Sequence, residues 1–366
     1  MRQAPLGADD LLPSGPLPPP WPGRTVPLDG TSLHVRDTPA TRPGAEPALY
    51  VHGLGGSAQN FTDLAGLLAD RLDGQAIDLP GFGHSEPGPS YTLPYFTERV
   101  IRWIEHSGRG PVHLVGNSLG GAVSVRVAVL RPDLVRTLTL ISPAMPFLDV
   151  RRSLQARALP LLVLPRAERL AARHLTRIPP EAMAAQVLAS CIADASRIST
   201  QRRQETIEEF RIRCTAEHYA AAYVRSFRGL VASFLRAYLP GSGSLWQMAR
   251  RVPVPTLVIS GRQDRLVDVR VSPQVARLIP DSRLLMLDGV GHVAQMEVPR
   301  LVAQAIAALV DEYATWGAAG TTDSGTTGAS GAAGGDAAGT VGSGTSGPAC
   351  GDMADAAGTR GPAAER

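Results

Sequence analysis

Gly116-Asn117-Ser118-Leu119-Gly120 sits between two apolar runs of different kinds. Pro111-Val112-His113-Leu114-Val115 before it reads as a short buried strand. Ala122-Val123-Ser124-Val125-Arg126-Val127-Ala128 after it continues as an apolar helix. A glycine two residues to either side of a serine lets the backbone turn sharply from strand to helix without side-chain collision. Such a turn lifts the Ser118 hydroxyl above the sheet and points it into a pocket. The helix start also places backbone N–H groups and a positive dipole end near any developing oxyanion. The competing role for Ser118 is a helix N-cap, a common one for serine.

Three other segments end where this chemistry needs partners. Pro47-Ala48-Leu49-Tyr50-Val51 reads as a strand and runs into His52-Gly53-Leu54-Gly55-Gly56-Ser57, a flexible turn able to present a backbone N–H beside the serine. Pro255-Thr256-Leu257-Val258-Ile259 is a buried strand ending in Ser260-Gly261-Arg262-Gln263-Asp264. Arg283-Leu284-Leu285-Met286-Leu287 is a third, followed by Gly289-Val290-Gly291-His292. A serine hydroxyl is a weak nucleophile near neutral pH, so a base must take its proton during attack. Histidine titrates in the right range for that task, and a carboxylate can fix its tautomer and stabilise the imidazolium. Asp264 and Asp268 both lie just beyond the same strand.

In these motifs and their order the chain resembles the α/β-hydrolase superfamily, whose nucleophile, acid and histidine follow one another as Ser118, Asp264 and His292 do here. Asp78-Leu79-Pro80-Gly81-Phe82-Gly83-His84-Ser85 is similar to the loop after the fourth strand of many capped members. The resemblance spans residues 25–316. It implies an α/β fold with a mostly parallel eight-stranded sheet, helices on both faces, and a helical cap inserted after strand 6. It also implies that the acid is Asp264, because the family places it directly after Gly-x-x. The N–H groups of Leu54 and Leu119 would hold the oxyanion, and His52, Gly53 and Asn117 would contact substrate. No cofactor is needed for such chemistry.

The composition fits. Of 366 residues, 44% are apolar and 19% charged, the balance of a soluble globular protein. No run approaches the ~20 apolar residues of a membrane span. Residues 1–23 read as an extended Pro-rich arm and not as a signal peptide, so a cytoplasmic location is expected. Cys191, Cys214 and Cys350 form no Cys-x-x-Cys pair, and neither histidine nor cysteine has zinc spacing, which argues against a metal. All 36 basic residues are arginine, which excludes a lysine Schiff base or a P-loop lysine. No recognition motif for nucleic acid accompanies the charge.

Alternating runs predict a core over residues 24–143 and 252–316. It begins with a hairpin of Arg24–Leu28 and Ser32–Arg36 about Asp29-Gly30. Helices are predicted over Phe61–Leu72 and Leu93–Glu105. The strand signal disappears over the predicted cap, residues 144–251, where Leu154–Leu175, Glu181–Ile198, Gln204–Cys214 and His218–Tyr238 read as helices. Residues 151–251 carry 17 arginines against 7 acidic residues. The charge is read first as coating solvent-facing helix surfaces; the alternative is that such a cap attracts an anionic acyl substrate or makes peripheral contact with an anionic membrane. The last ordered helix is predicted over Pro299–Tyr313. Residues 317–366 contain no Leu, Ile or Phe and are expected to form a disordered tail.

The expected activity is hydrolysis of a carboxylic ester of a moderately apolar substrate through an acyl-enzyme on Ser118. Carbon–carbon bond hydrolases, thioesterases and cofactor-free perhydrolases share these groups and stay open as alternatives. Haloalkane dehalogenases and epoxide hydrolases need a carboxylate where Ser118 stands. A non-catalytic ligand receptor on this fold is the rival from another class.

Overall fold

Strands built from unbroken apolar runs need cover on both faces. In a computed structural model, which describes residues 1–7, 17–147, 167–175, 177–239, 241 and 243–322, nine strands form one sheet. They are β1 (Arg2–Gln3), β2 (Gly23–Leu28), β3 (Thr31–Thr38), β4 (Glu46–Val51), β5 (Leu72–Ile77), β6 (Val112–Asn117), β7 (Val135–Ile141), β8 (Thr256–Gly261) and β9 (Ser282–Leu287). Their spatial order is β1-β9-β8-β7-β6-β4-β5-β3-β2. The β2–β3 and β3–β5 pairs are antiparallel and the remaining pairs parallel. The expected eight strands are β2 to β9. The ninth comes from the N-terminal arm, where Arg2 and Gln3 pair with Arg283 and Leu284, a strand too short to leave any alternation in the sequence.

The helices are α1 (Thr62–Leu67), α2 (Leu93–Ser107), α3 (Leu119–Leu130), α4 (Ala167–Leu175), α5 (Pro180–Cys191), α6 (Thr200–Thr215), α7 (Tyr219–Arg236), α8 (Leu245–Ala249), α9 (Val271–Leu278), α10 (Ala294–Glu297) and α11 (Pro299–Thr322). Alternate residues of the central strands serve two cores. Leu49, Val51, Leu114, Leu138 and Val258 pack with Phe96, Trp103, Val123 and Val275 of α2, α3 and α9. Ala48, Tyr50, Val115, Leu257 and Ile259 pack with Leu64, Val302, Ile306 and Val310 of α1 and α11. The predicted hairpin forms, with positive φ at Asp29 (45°) and Gly30 (82°), as a tight two-residue turn demands.

Several boundaries differ from expectation. The helix predicted over Phe61–Leu72 ends at Leu67, and Leu72 already belongs to β5. That strand, Leu-Asp-Gly-Gln-Ala-Ile, lacks an apolar run. Glu181–Ile198 is not one helix: α5 stops at Cys191, Ile192 is extended, and Asp194 caps a short 3₁₀ turn over Ala195–Arg197. The helix α11 runs to Thr322, beyond both Tyr313 and the expected start of the tail. Residues 8–16, 148–166 and 323–366 lie outside the described residues, and with them the first part of the predicted Leu154–Leu175 helix and most of the tail.

Helices α4 to α8 lie in sequence between β7 and β8, at the place where the cap was expected. They belong to the same compact unit, Met1–Thr322, as the sheet. Among the described residues no helix is long and apolar enough to cross a membrane.

Trp103 anchors the first core at 1% exposure and donates from Nε1 to Gln75 Oε1 at 3.2 Å. Trp103→Ala is expected to cost about 3–5 kcal/mol, because the site cannot collapse onto so large a void. Urea denaturation reads this as a lowered midpoint; a loss below about 1 kcal/mol would show that the ring is not central to packing.

Candidate active site

The turn after β6 is as tight as its sequence suggests. Ser118 has φ 53° and ψ −114°, a combination costly for a residue with a side chain. Gly120 makes the turn possible, since a Cβ there would lie 2.1 Å from the Val51 carbonyl oxygen and 2.6 Å from that of His52. At Gly116 a Cβ would meet Gly120 O and Ser124 Oγ, each at 2.5 Å. The serine backbone is tied down on both sides. Its N–H donates to Ile141 O at 3.0 Å, and its carbonyl accepts from Ala122 and Ala144 at 3.1 and 2.9 Å. Ser118 occupies the N-cap position of α3, yet its side chain makes no capping bond. The hydroxyl is thus left for the cavity, whose wall includes Ser118 and His292.

His292 Nδ1 and Asp264 Oδ2 lie 2.8 Å apart. With Nδ1 committed to the carboxylate, Nε2 is the ring nitrogen left for a serine proton. Asp264 Oδ1 accepts from the N–H groups of Leu266 and Val267 at 2.8 and 2.9 Å. Burial alone would push this carboxyl up. His292 and the two N–H donors outweigh burial and hold it below the ordinary aspartate value, so it is ionised. Asp268, the other candidate acid, is engaged with Arg270 through Oδ1 at 2.8 Å and Oδ2 at 2.9 Å. The structure brings Asp264, not Asp268, to the histidine.

Leu54 and Gly53 line the cavity, and Leu119 opens α3 directly after Ser118. Among the described residues neither the Leu54 nor the Leu119 N–H has a hydrogen-bond acceptor. Gly53 closely underlies the serine, a Cβ there falling 3.0 Å from Ser118 Cβ. Asn117 also lines the cavity, but its side-chain amide is occupied in bracing, donating to Ile141 O at 3.1 Å and His292 O at 3.3 Å.

His52 stands apart from the cavity wall. It was expected to touch substrate, but it is fully buried. Its Nε2 accepts from the Leu79 N–H at 2.9 Å, which leaves Nδ1 to donate to Gly53 O at 2.7 Å. Accepting at Nε2 requires the neutral ring, and burial pushes its pKa below the ordinary histidine value. Nearby, buried Asp78 accepts from Ala58 N–H at 2.6 Å, from His34 at 2.9 Å and from His84 N–H at 2.9 Å. The Asp78–Ser85 stretch is therefore a brace that holds the Gly53–Ser57 loop, and the His84 side chain itself is exposed.

The far wall belongs to α5 and α6, which contribute Val187, Leu188, Cys191, Arg202, Glu209 and Arg213 among others. Sequence reading missed two contributions. Glu297, with a fully buried side chain, accepts from Gly291 N–H (2.8 Å), Ala193 N–H (3.1 Å) and Asp194 N–H (2.9 Å). It thereby ties the His292 loop to the end of α5, and the Cys191 carbonyl takes the His292 N–H at 2.6 Å. A lone acid in the apolar run after His292 is the only trace of this in the sequence. The second is the Glu209–Arg213 pair, whose four-residue spacing looks like any solvated helix face. Many arginines counted in the basic stretch are paired: Arg202 with Asp63 and Glu205, Arg211 with Glu181 and Glu208, Arg225 with Glu168. Among the described residues no three His, Cys, Asp or Glu side chains gather as a metal ion would need.

The model of the alpha/beta hydrolase fold family matches residues 47–299, and the chain belongs to that family. It is 28% identical over 255 residues to the dihydrolipoyllysine-residue acetyltransferase component of the acetoin cleaving system of Cupriavidus necator. The match covers 69% of this chain and 60% of that one, less than two thirds of the relative's length. The 2-(acetamidomethylene)succinate hydrolase of Mesorhizobium japonicum is 27% identical over 292 residues, 79% of this chain and 95% of its own. Lipase 3 of a Moraxella species is 26% identical over 262 residues, 69% and 73%. Among solved structures, haloalkane dehalogenase DbeA from Bradyrhizobium elkani matches with a TM-score of 0.68 and 20% identity, covering 81% of this chain and 99% of that one. At that identity the likeness is one of fold.

The pKa of His52 carries a pH signature. Because its folded value lies below the unfolded one, its stabilisation is complete above about pH 6.5 and is lost as pH falls through the folded value. His52→Gln should be less stable than wild type at neutral pH and lose less on acidification from about pH 7 to about pH 5. Denaturation midpoints across that range test it, and equal slopes for the two proteins would contradict it.

Proposed function

We propose that the protein is a serine hydrolase that cleaves a carboxylic ester of a moderately apolar substrate through an acyl-enzyme on Ser118. The observation that carries this reading is the His292 Nδ1–Asp264 bond beside a serine held on a positive-φ turn with a hydroxyl that makes no capping bond. A pure receptor needs none of these three in that relation. Similarity to a lipase and to a succinate-derivative hydrolase supports hydrolysis as the reaction class. Leu54, Val187, Leu188, Leu266, Val293 and Met296 give the cavity an apolar wall suited to an acyl or alcohol group.

In the reaction, Ser118 Oγ attacks the ester carbonyl while His292 Nε2 takes its proton. Asp264 keeps the ring in the right tautomer and stabilises the imidazolium. The N–H groups of Leu54 and Leu119 receive the oxyanion, each worth ~3–4 kcal/mol of transition-state stabilisation. The imidazolium protonates the departing alcohol, and water, activated by the same histidine, releases the acid and regenerates Ser118. The helices between β7 and β8 act as a cap that excludes bulk water and selects the substrate.

Hydrolysis of p-nitrophenyl esters of increasing acyl length tests the reading. Ser118→Ala should abolish turnover without moving the melting temperature. Asp264→Asn should lower kcat roughly 10⁴-fold by misplacing the Nδ1 proton. Substantial turnover by Ser118→Ala would remove the nucleophile assignment. A wild type inactive on every ester would shift the same groups to carbon–carbon bond cleavage.

A further inference from the structure

The cap helix α6 touches the loop Gly53–Ser57 at two points. Arg213 Nη1 donates to the Gly55 carbonyl at 2.6 Å, and Glu209 Oε2 accepts from the Ser57 hydroxyl at 3.1 Å. Four residues apart, the two share one face of the helix and meet at 3.4 Å. Their side chains are only 7% and 8% exposed. The guanidinium lies 5.0 Å from the Phe210 ring centre and 6.0 Å from that of Tyr219.

A buried ion pair adds little stability, because the desolvation of both charges offsets their attraction. Arg213 Nε is in addition buried with no hydrogen-bond partner among the described residues. The loop beneath shows what the cation does there. Gly56 N–H donates to Gly53 O at 3.0 Å, closing a four-residue turn with Leu54 and Gly55 at its centre, and Gly55 has φ 74°. Three of the four turn residues are glycine, so the turn has little stiffness of its own. Its conformation decides where the Leu54 N–H points, and Arg213 holds the Gly55 carbonyl at 2.6 Å, with the Tyr219 hydroxyl of α7 a longer donor to the same oxygen at 3.5 Å.

We infer that Arg213 is a positioning residue for the oxyanion hole: by clasping Gly55 O from the cap, it fixes the turn that presents the Leu54 N–H to substrate. The inference rests on the reading of that N–H as an oxyanion donor. It makes the cap part of the catalytic geometry and not only a roof, since withdrawing α6 would release the loop.

The test uses the full chain with Arg213→Met, read by amide hydrogen exchange and by ester kinetics. Exchange across residues 53–57 should rise by about tenfold or more while the sheet is unchanged. kcat should fall by up to about 100-fold with KM nearly constant, as expected of a misplaced donor. Should Arg213→Met fail to fold, Arg213→Lys, which keeps the charge but loses the fork, takes the same two readouts. Loop exchange and kcat both within about twofold of wild type would overturn the inference, as would a rise in KM alone, the mark of a direct substrate contact. If wild-type turnover proved independent of Ser118, the esterase reading would fail instead, and loop exchange would still decide what Arg213 holds.

Discussion

The start of α3 presses against the end of β4 so closely that no side chain fits at Gly120, and most of the site follows from that contact. The helix can come so near only if the chain leaves β6 through a turn that Ser118 must take at positive φ. That conformation is costly, of order 1–3 kcal/mol, and persists because bonds to Ile141, Ala122 and Ala144 over-determine it. The reward is chemical: a hydroxyl lines the cavity, and among the described residues the Leu119 N–H just behind it has no acceptor. The parallel sheet places the ends of β4, β8 and β9 on the same side, so the Leu54, Asp264 and His292 loops converge there.

Two buried carboxylates then hold these loops, each by a different logic. Asp78 collects bonds from Ala58, His34 and His84, locking the loop after β5 to the one after β4. Glu297 collects backbone N–H groups from the His292 loop and from the end of α5, joining the core to the helices above it. Asp264, by contrast, faces the histidine, and its N–H donors keep it ionised. Asp78 and Asp264 each combine an imidazole with two backbone N–H donors, whereas Glu297 gathers three backbone N–H groups.

The fold was legible because its central strands are continuous apolar runs and its glycines sit where the backbone must turn. The placement of Ser118, Asp264 and His292 at one end of the sheet could be read because each follows a recognisable strand, and loop direction in a parallel sheet is set by strand direction. What escaped was whatever depends on side-chain direction or on very short elements. His52 stands inside the right motif, yet nothing in the sequence tells that its ring turns inward to the Leu79 N–H and the Gly53 carbonyl. β5 hides behind Asp73, Gly74 and Gln75, and β1 is two residues long. Glu209 and Arg213 look like an ordinary solvated pair, because helical spacing reports which residues share a face and not what that face meets.

The proposed chemistry requires Ser118 to be an activated nucleophile and not merely a strained turn residue. Intact and peptide mass spectrometry after treatment with a fluorophosphonate tests this directly, because the reagent phosphonylates only a serine whose proton is being removed. A single adduct on the peptide bearing Ser118, lost when His292 is replaced by alanine, is the result the structure predicts. No adduct, or one that persists without His292, would contradict it.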